Sequence, residues 1–189
     1  MARVHPEASI SPTKAELARA WLSAATWFDG DAALVEAPFR FSYRFDDPAG
    51  KVGIESMLVR DRDRLIQVPL TYRESPLEGA EQALLTTMTH SVLGRRWVYD
   101  GIADPVLVAE FIRAIVEGRT SAGLEFTVDG EQHTRPTAVQ ARGTGMGDAV
   151  PADVEVAGVS VVGSTAHVAT SLGQLRIPYV LDPQQQAGT

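Results

Sequence analysis

Cysteine is absent from the 189-residue chain. That excludes disulfides, thiolate zinc sites, iron–sulfur ligation and cysteine nucleophiles together. It also fits a reducing compartment. Lysine is nearly absent: only Lys14 and Lys51 occur. No G-x-x-x-x-G-K-[ST] phosphate loop can therefore be drawn. No apolar run approaches the roughly 20 residues that span a bilayer. Met1-Ala2-Arg3-Val4-His5-Pro6 carries no apolar leader core, so a cytoplasmic location without membrane attachment is expected. Positive charge is outweighed, with 17 Lys+Arg against 24 Asp+Glu and a formal net charge of −7. Such a balance is poorly suited to nucleic acid, which is bound by displacing counterions with cations. The four histidines, at positions 5, 90, 133 and 167, stand alone without metal-ligand spacing, so no metal site is assigned.

The remaining composition is that of a globular chain, with 44% hydrophobic and 22% charged residues. All three Trp, and every Tyr and Phe except Phe126 and Tyr179, precede residue 118. The main core is expected there, over residues 1–118, with a β-rich region over 119–189. Ser11-Pro12 starts a helix by the usual cap logic, with Thr13 and Glu16 as an alternative capping box. The helix should end near Ala25. Phe39, Phe41, Tyr43 and Phe45 alternate with polar residues as a half-buried strand. A second strand follows from Val52 to Arg60. A polar reversal over Asp61–Arg64 leads to a third strand, on which Ile66, Val68, Leu70 and Tyr72 share a face. Pro69 predicts that this strand is an edge or is bulged. Residues 80–92 read mainly as strand, and Arg95–Asp100 as another. Asp104-Pro105 opens a second helix that Gly118 ends. Its Leu107, Val108, Phe111, Ile112 and Ile115 form the apolar stripe, and Glu110, Arg113 and Glu117 lie on the wet side. Short strands are expected over 125–128, 154–162, 165–170 and 175–181, with Gly163-Ser164 as a hairpin turn. Gly143-Thr144-Gly145-Met146-Gly147-Asp148 with Pro151 reads as a flexible linker near 143–151, since its spacing does not fit G-x-G-x-x-G. The tail from Gln184 reads as frayed.

Candidate chemistry is sparse. The carboxylate pairs Asp46-Asp47, Asp61/Asp63 and Asp100/Asp104 all fall at turns or caps, where Asp has structural work, and no catalytic residue is assigned. The densest polar–aromatic block is Gly94-Arg95-Arg96-Trp97-Val98-Tyr99-Asp100-Gly101. Trp97 and Tyr99 share a parity with Arg95 and could offer a stacking platform. The competing reading puts both rings in the core, with Arg95 at its edge.

Several stretches resemble the N-terminal cap domain of maltokinases. They are Ser11–Leu17 with Trp21-Leu22, Phe45–Glu55, Val68–Arg73, Pro76–Glu81 and His90–Gly101 through Asp104-Pro105-Val106. The resemblance covers about residues 3–117. It implies a curved antiparallel β-sheet packed against helices; with the small β-rich C-terminal region read from its own residue pattern, the expected class is α+β, mainly an antiparallel curved β-sheet packed against two helices. In that family the cap precedes kinase lobes that phosphorylate maltose with ATP. Here the catalytic-loop and metal-binding segments of those lobes have no counterpart, so a non-catalytic module without a cofactor is expected. Its partner would be a kinase or a glucan/trehalose-metabolising enzyme. One alternative is a sugar or glucan binder using Tyr72, Arg73, Arg95, Trp97 and Tyr99. Another is a divergent ATP-dependent sugar kinase.

Overall fold

Thr13 caps the first helix, α1 (Lys14–Ala24), by a reciprocal capping box. Its hydroxyl accepts from the Glu16 N–H at 3.3 Å, and Glu16 Oε2 accepts from the Thr13 N–H at 2.7 Å. Two orphan donors of the first turn are thereby satisfied. Ser11, expected as the start of this helix, lies instead in the two-residue strand β1 (Ile10–Ser11), and the alternative box takes its place. The computed structural model describes residues 8–35, 41–128, 131–135 and 137–181. Phe39 and the tail from Gln184 lie outside them.

Period-two alternation produces the main sheet. Its strands are β2 (Ser42–Asp46), β3 (Val52–Asp61), β4 (Arg64–Arg73), β5 (Leu84–His90) and β6 (Gly94–Asp100). They pair antiparallel in the order β1-β5-β6-β4-β3-β2, and β12 (Val180–Leu181) adds to β4. The sheet curls into a half-barrel. Tyr43 and Phe45 face the second helix, α2 (Pro105–Glu117), with Phe111 centroids 6.3 and 5.7 Å away. Phe41 is exposed and does not share their burial. On the other face, Leu17, Ala18, Trp21 and Leu22 of α1 are buried.

Pro69 does not mark an edge. β4 is central: β3 pairs with all ten of its residues. Its other side is shared, with β12 on Leu65 and Ile66 and β6 on Leu70–Arg73. Pro69 sits between these two partners, where a missing N–H costs the ladder nothing.

Helix α2 begins as its sequence dictates. Asp104 accepts from the Val106 N–H at 3.0 Å, Pro105 occupies the first turn, and Gly118 ends the helix at φ 68°. The last four carbonyls of a helix lack intrahelical donors. Here the Gly143-x-Gly145-x-Gly147 segment supplies donors for two of them, and the Gly118 and Arg119 N–H groups meet that of Ala114. Gly145 N–H donates to Ile115 O at 2.9 Å and Gly147 N–H to Val116 O at 2.8 Å, while Gly143 N–H reaches Arg119 O at 2.9 Å. A Cβ at Gly143 would overlap the Ala114 carbonyl, and one at Gly145 those of Ile115 and Val116. The stretch that composition reads as a linker thus joins the two parts of the chain by lying along α2. Gly145→Ala is expected to lift it off and destabilise the protein by about 2–4 kcal/mol, by bared carbonyls and lost bonds. Urea unfolding of the variant checks this.

The same segment overturns the expected wet face of α2. Glu110 is 3% and Arg113 7% exposed. The two are ion-paired, and Arg113 Nη2 also donates to Pro151 O at 2.9 Å and Ala152 O at 2.8 Å. Ile115, expected in the apolar stripe, is exposed. Chain from far along the sequence covers the charged side of the helix, which helical periodicity cannot reveal.

Beyond α2, β7 (Leu124–Val128) pairs with β8 (Glu131–Arg135). A second sheet takes the order β11-β10-β9, from β9 (Val156–Val162), β10 (Thr165–Thr170) and β11 (Gly173–Pro178). Tyr179 ties this region to α1 and the chain just after it. It stacks on Trp27 at 5.4 Å and meets Trp21 edge-on at 4.9 Å.

Candidate functional site

The block Gly94–Asp100 forms the return strand of the β5–β6 hairpin. Gly94 adopts φ 73°, which the turn requires and a larger residue would resist. His90 Nδ1 accepts from the N–H groups of Val92 and Leu93, both at 3.2 Å. Ser91 is anchored to Ser9 by two bonds of 3.0 Å, Ser91 N–H to Ser9 O and Ser9 N–H to Ser91 Oγ. The hairpin end is therefore held firmly, yet it presents Val92 and Leu93 at 57% and 44% exposure. Beside them the Arg95 guanidinium lies 5.9 Å over the half-buried Trp97 ring. Stacking of this kind holds the planar fork in place, ready for a carboxylate.

Cross-strand partners share a face of the sheet. Arg73 opposes Trp97, and Thr71 opposes Tyr99. Arg73, Arg95, Trp97 and Tyr99 thus stand on one face. Tyr72 opposes Val98 and stands on the other. The five candidate residues are not brought to one place. Tyr99 is 2% exposed, and its hydroxyl accepts from the Leu77 N–H at 2.9 Å. Arg73 forms two parallel bonds of 2.7 Å to the fully buried Asp104. The Tyr72 hydroxyl donates to Glu55 Oε2 at 3.2 Å. Arg95 and Trp97 are the two of the five not committed to such a bond.

Glu55 is the centre of a buried charge network that sequence reading did not single out. Its Oε1 accepts from Lys14 at 2.6 Å, Ser42 at 2.8 Å and Arg44 at 3.0 Å. Burial alone would raise its carboxyl. The charges of Arg44 and Lys14, with the bonds from Lys14 and Ser42, override that and hold it well below the carboxylate range. Burial and the Glu55 charge raise the Tyr72 phenol well above its ordinary value.

Asp100 titrates in the opposite sense. Burial pushes its carboxyl up to about 6, against the Trp21 indole and the Ile102 N–H, which favour the charged form. The Trp21 N–H faces it without completing a hydrogen bond. A carboxyl raised on folding binds its proton more tightly in the native state. The native state is then favoured most below about pH 4, and stability falls as pH rises through about 6. Asp100→Asn keeps an acceptor for the Ile102 N–H, which Asp100 caps at 3.4 Å. It is expected to gain about 1–3 kcal/mol at pH 8 and nothing at pH 4. Thermal unfolding at the two pH values decides it.

What sequence reading missed at the hairpin is Val92-Leu93. The signal was present: two large apolar residues immediately precede a turn glycine, where polar residues are the rule. No helix among the described residues is long and apolar enough to cross a membrane. No curated protein and no solved structure gives a significant match to the chain. The family that does match is the maltokinase N-terminal cap domain, whose model aligns with residues 21–104, from Trp21 in α1 across β2 to β6 and on to the Asp104 cap of α2.

Proposed function

We propose that this chain is a non-catalytic cap-like module, cytoplasmic, that docks on a protein partner through the end of the β5–β6 hairpin. The partner is a kinase or another enzyme of maltose, trehalose or glucan metabolism. The observation that carries this reading is the exposed Val92-Leu93 pair, held by His90 and Ser9 beside the Arg95–Trp97 stack, within the stretch that matches the cap family. An arginine over a tryptophan, bordered by exposed apolar side chains, is the composition of an interface anchor. A non-catalytic role is supported by the lack of counterparts to the catalytic-loop and metal-binding segments that phosphoryl transfer uses. Lys14, Arg44, Arg73 and Arg113 are each paired with a carboxylate inside the fold and are not available to a transferred group.

The test is binding of the purified chain to a maltokinase whose own cap has been deleted, by calorimetry. Saturable binding that Leu93→Asp with Arg95→Glu weakens roughly a hundredfold, about 2.7 kcal/mol for the pair, supports the reading. Heat with maltose, trehalose or maltodextrin, lost on Trp97→Ala and absent with the protein, would replace it with the sugar-binding alternative.

A further inference from the structure

Strand β9 is the free edge of the second sheet: among the described residues only β10 pairs with it. Its sequence, Val-Ala-Gly-Val-Ser-Val-Val, has no charge and no proline, and residues 157–162 are all exposed. Edge strands are ordinarily protected by lysine, proline or a cover. This one carries neither lysine nor proline, and among the described residues only the turn at Gly101–Ala103 comes close to it besides β10.

The inner face of the sheet also runs past its covered part. Val161 opposes the buried Ala166, and Val159 opposes the buried Val168. Leu175 and Ile177 continue that face on β11 and are buried. Yet Val159 and Val161 remain 40% and 42% exposed. The apolar layer stops at an open edge.

The hairpin geometry says which main-chain groups point outward. Gly163-Ser164 is a two-residue turn with Gly163 at φ 56°. Such a turn makes Val162 and Thr165 a mutually hydrogen-bonded pair. Alternation then directs the N–H and C=O groups of Val161 and Val159 to the open side, as far as a β-bulge at Ala157, where Gly158 and Val156 oppose the consecutive Ala169 and Thr170.

We propose that a second copy of this chain occupies this edge, with β9 paired antiparallel to its twin about a twofold axis at Val159. The sequence is nearly palindromic about that residue. Val159 would oppose Val159, Ala157 would oppose Val161, Gly158 would oppose Ser160, and Val156 would oppose Val162. The outward-pointing groups of Val159 face those of its twin, and the bulge at Ala157 marks where the regular ladder ends. Glu155 would oppose Gly163, so chains of net charge −7 meet without placing like charges face to face. A partner paired about a twofold axis closes the assembly at two copies, because each β9 has one free side.

The absence of cysteine makes the test clean. Val159→Cys places two thiols about 5.5 Å apart between Cα atoms, within disulfide range. Under mild oxidation it is expected to yield a covalent dimer in near-complete conversion, whereas Val162→Cys, which opposes Val156, yields none. Sedimentation equilibrium of the unaltered chain should show a dimer in the micromolar range. Val159→Lys, at a half-exposed position that leaves the fold intact by circular dichroism, should weaken that dimer roughly tenfold or more. A monomer at about 100 µM overturns the proposal. So does a dimer that Val159→Lys leaves unchanged, or equal crosslinking at 159 and 162.

Discussion

Glu55→Gln is expected to destabilise the fold by about 3–5 kcal/mol, read as the change in urea-unfolding free energy at pH 7. The Glu55 side chain is 3% exposed, and those of Lys14 and Arg44 are only 19% and 20% exposed. Glutamine keeps the size and the acceptor oxygen but removes the charge that both cations face. A buried pair contributes modestly when whole, because desolvation offsets attraction; the large effect comes from leaving its partners uncompensated. The pH dependence gives the mechanism away. The Glu55 carboxyl is held below its ordinary value of 4.5, so its contribution is full above that pH. It is lost as pH falls through the lower native value. Wild type and variant should converge in acid. Lys14→Met placed on Glu55→Gln should recover part of the loss, since the two sites are coupled through one contact.

Asp104→Ala is expected to cost a similar amount, about 3–5 kcal/mol, by two routes. It strands Arg73, whose side chain is 17% exposed, and removes both 2.7 Å bonds that join β4 to the start of α2. It also bares the Val106 N–H at the first turn of the helix. Asp104→Asn retains the cap acceptor and should be milder by about 1 kcal/mol, the usual worth of a cap. Urea unfolding of both variants measures the totals, and faster amide exchange at Val106 in the alanine variant alone assigns the cap's share.

Local chemistry was the most legible part of the sequence. Thr13 with Glu16, Asp104 with Pro105, and Gly118 are helix ends readable within a few residues, because caps are satisfied within one turn. The alternation from Ile66 to Tyr72 and the turn at Gly163-Ser164 read equally well. What failed depended on distant chain. Pro69 signals an edge to any reader who cannot know that two short partners divide the far side of β4. Glu110 and Arg113 look solvated until residues 143–152 are laid over them. At the candidate site, parity along β6 correctly grouped Arg95, Trp97 and Tyr99. The place of Tyr72 on the opposite face is a matter of register between strands, which no single strand encodes. The glycines at 143, 145 and 147 were visible, but what they were close to was not.

Those three glycines bear on where this protein can be cut. A piece ending at Gly118 would keep every residue the cap family's model aligns with, yet lose the donors for Ile115 and Val116, the β12 neighbour of β4 and the ring stacked on Trp27. The matched segment and the folding unit are therefore expected to have different borders, and heat should melt both regions together.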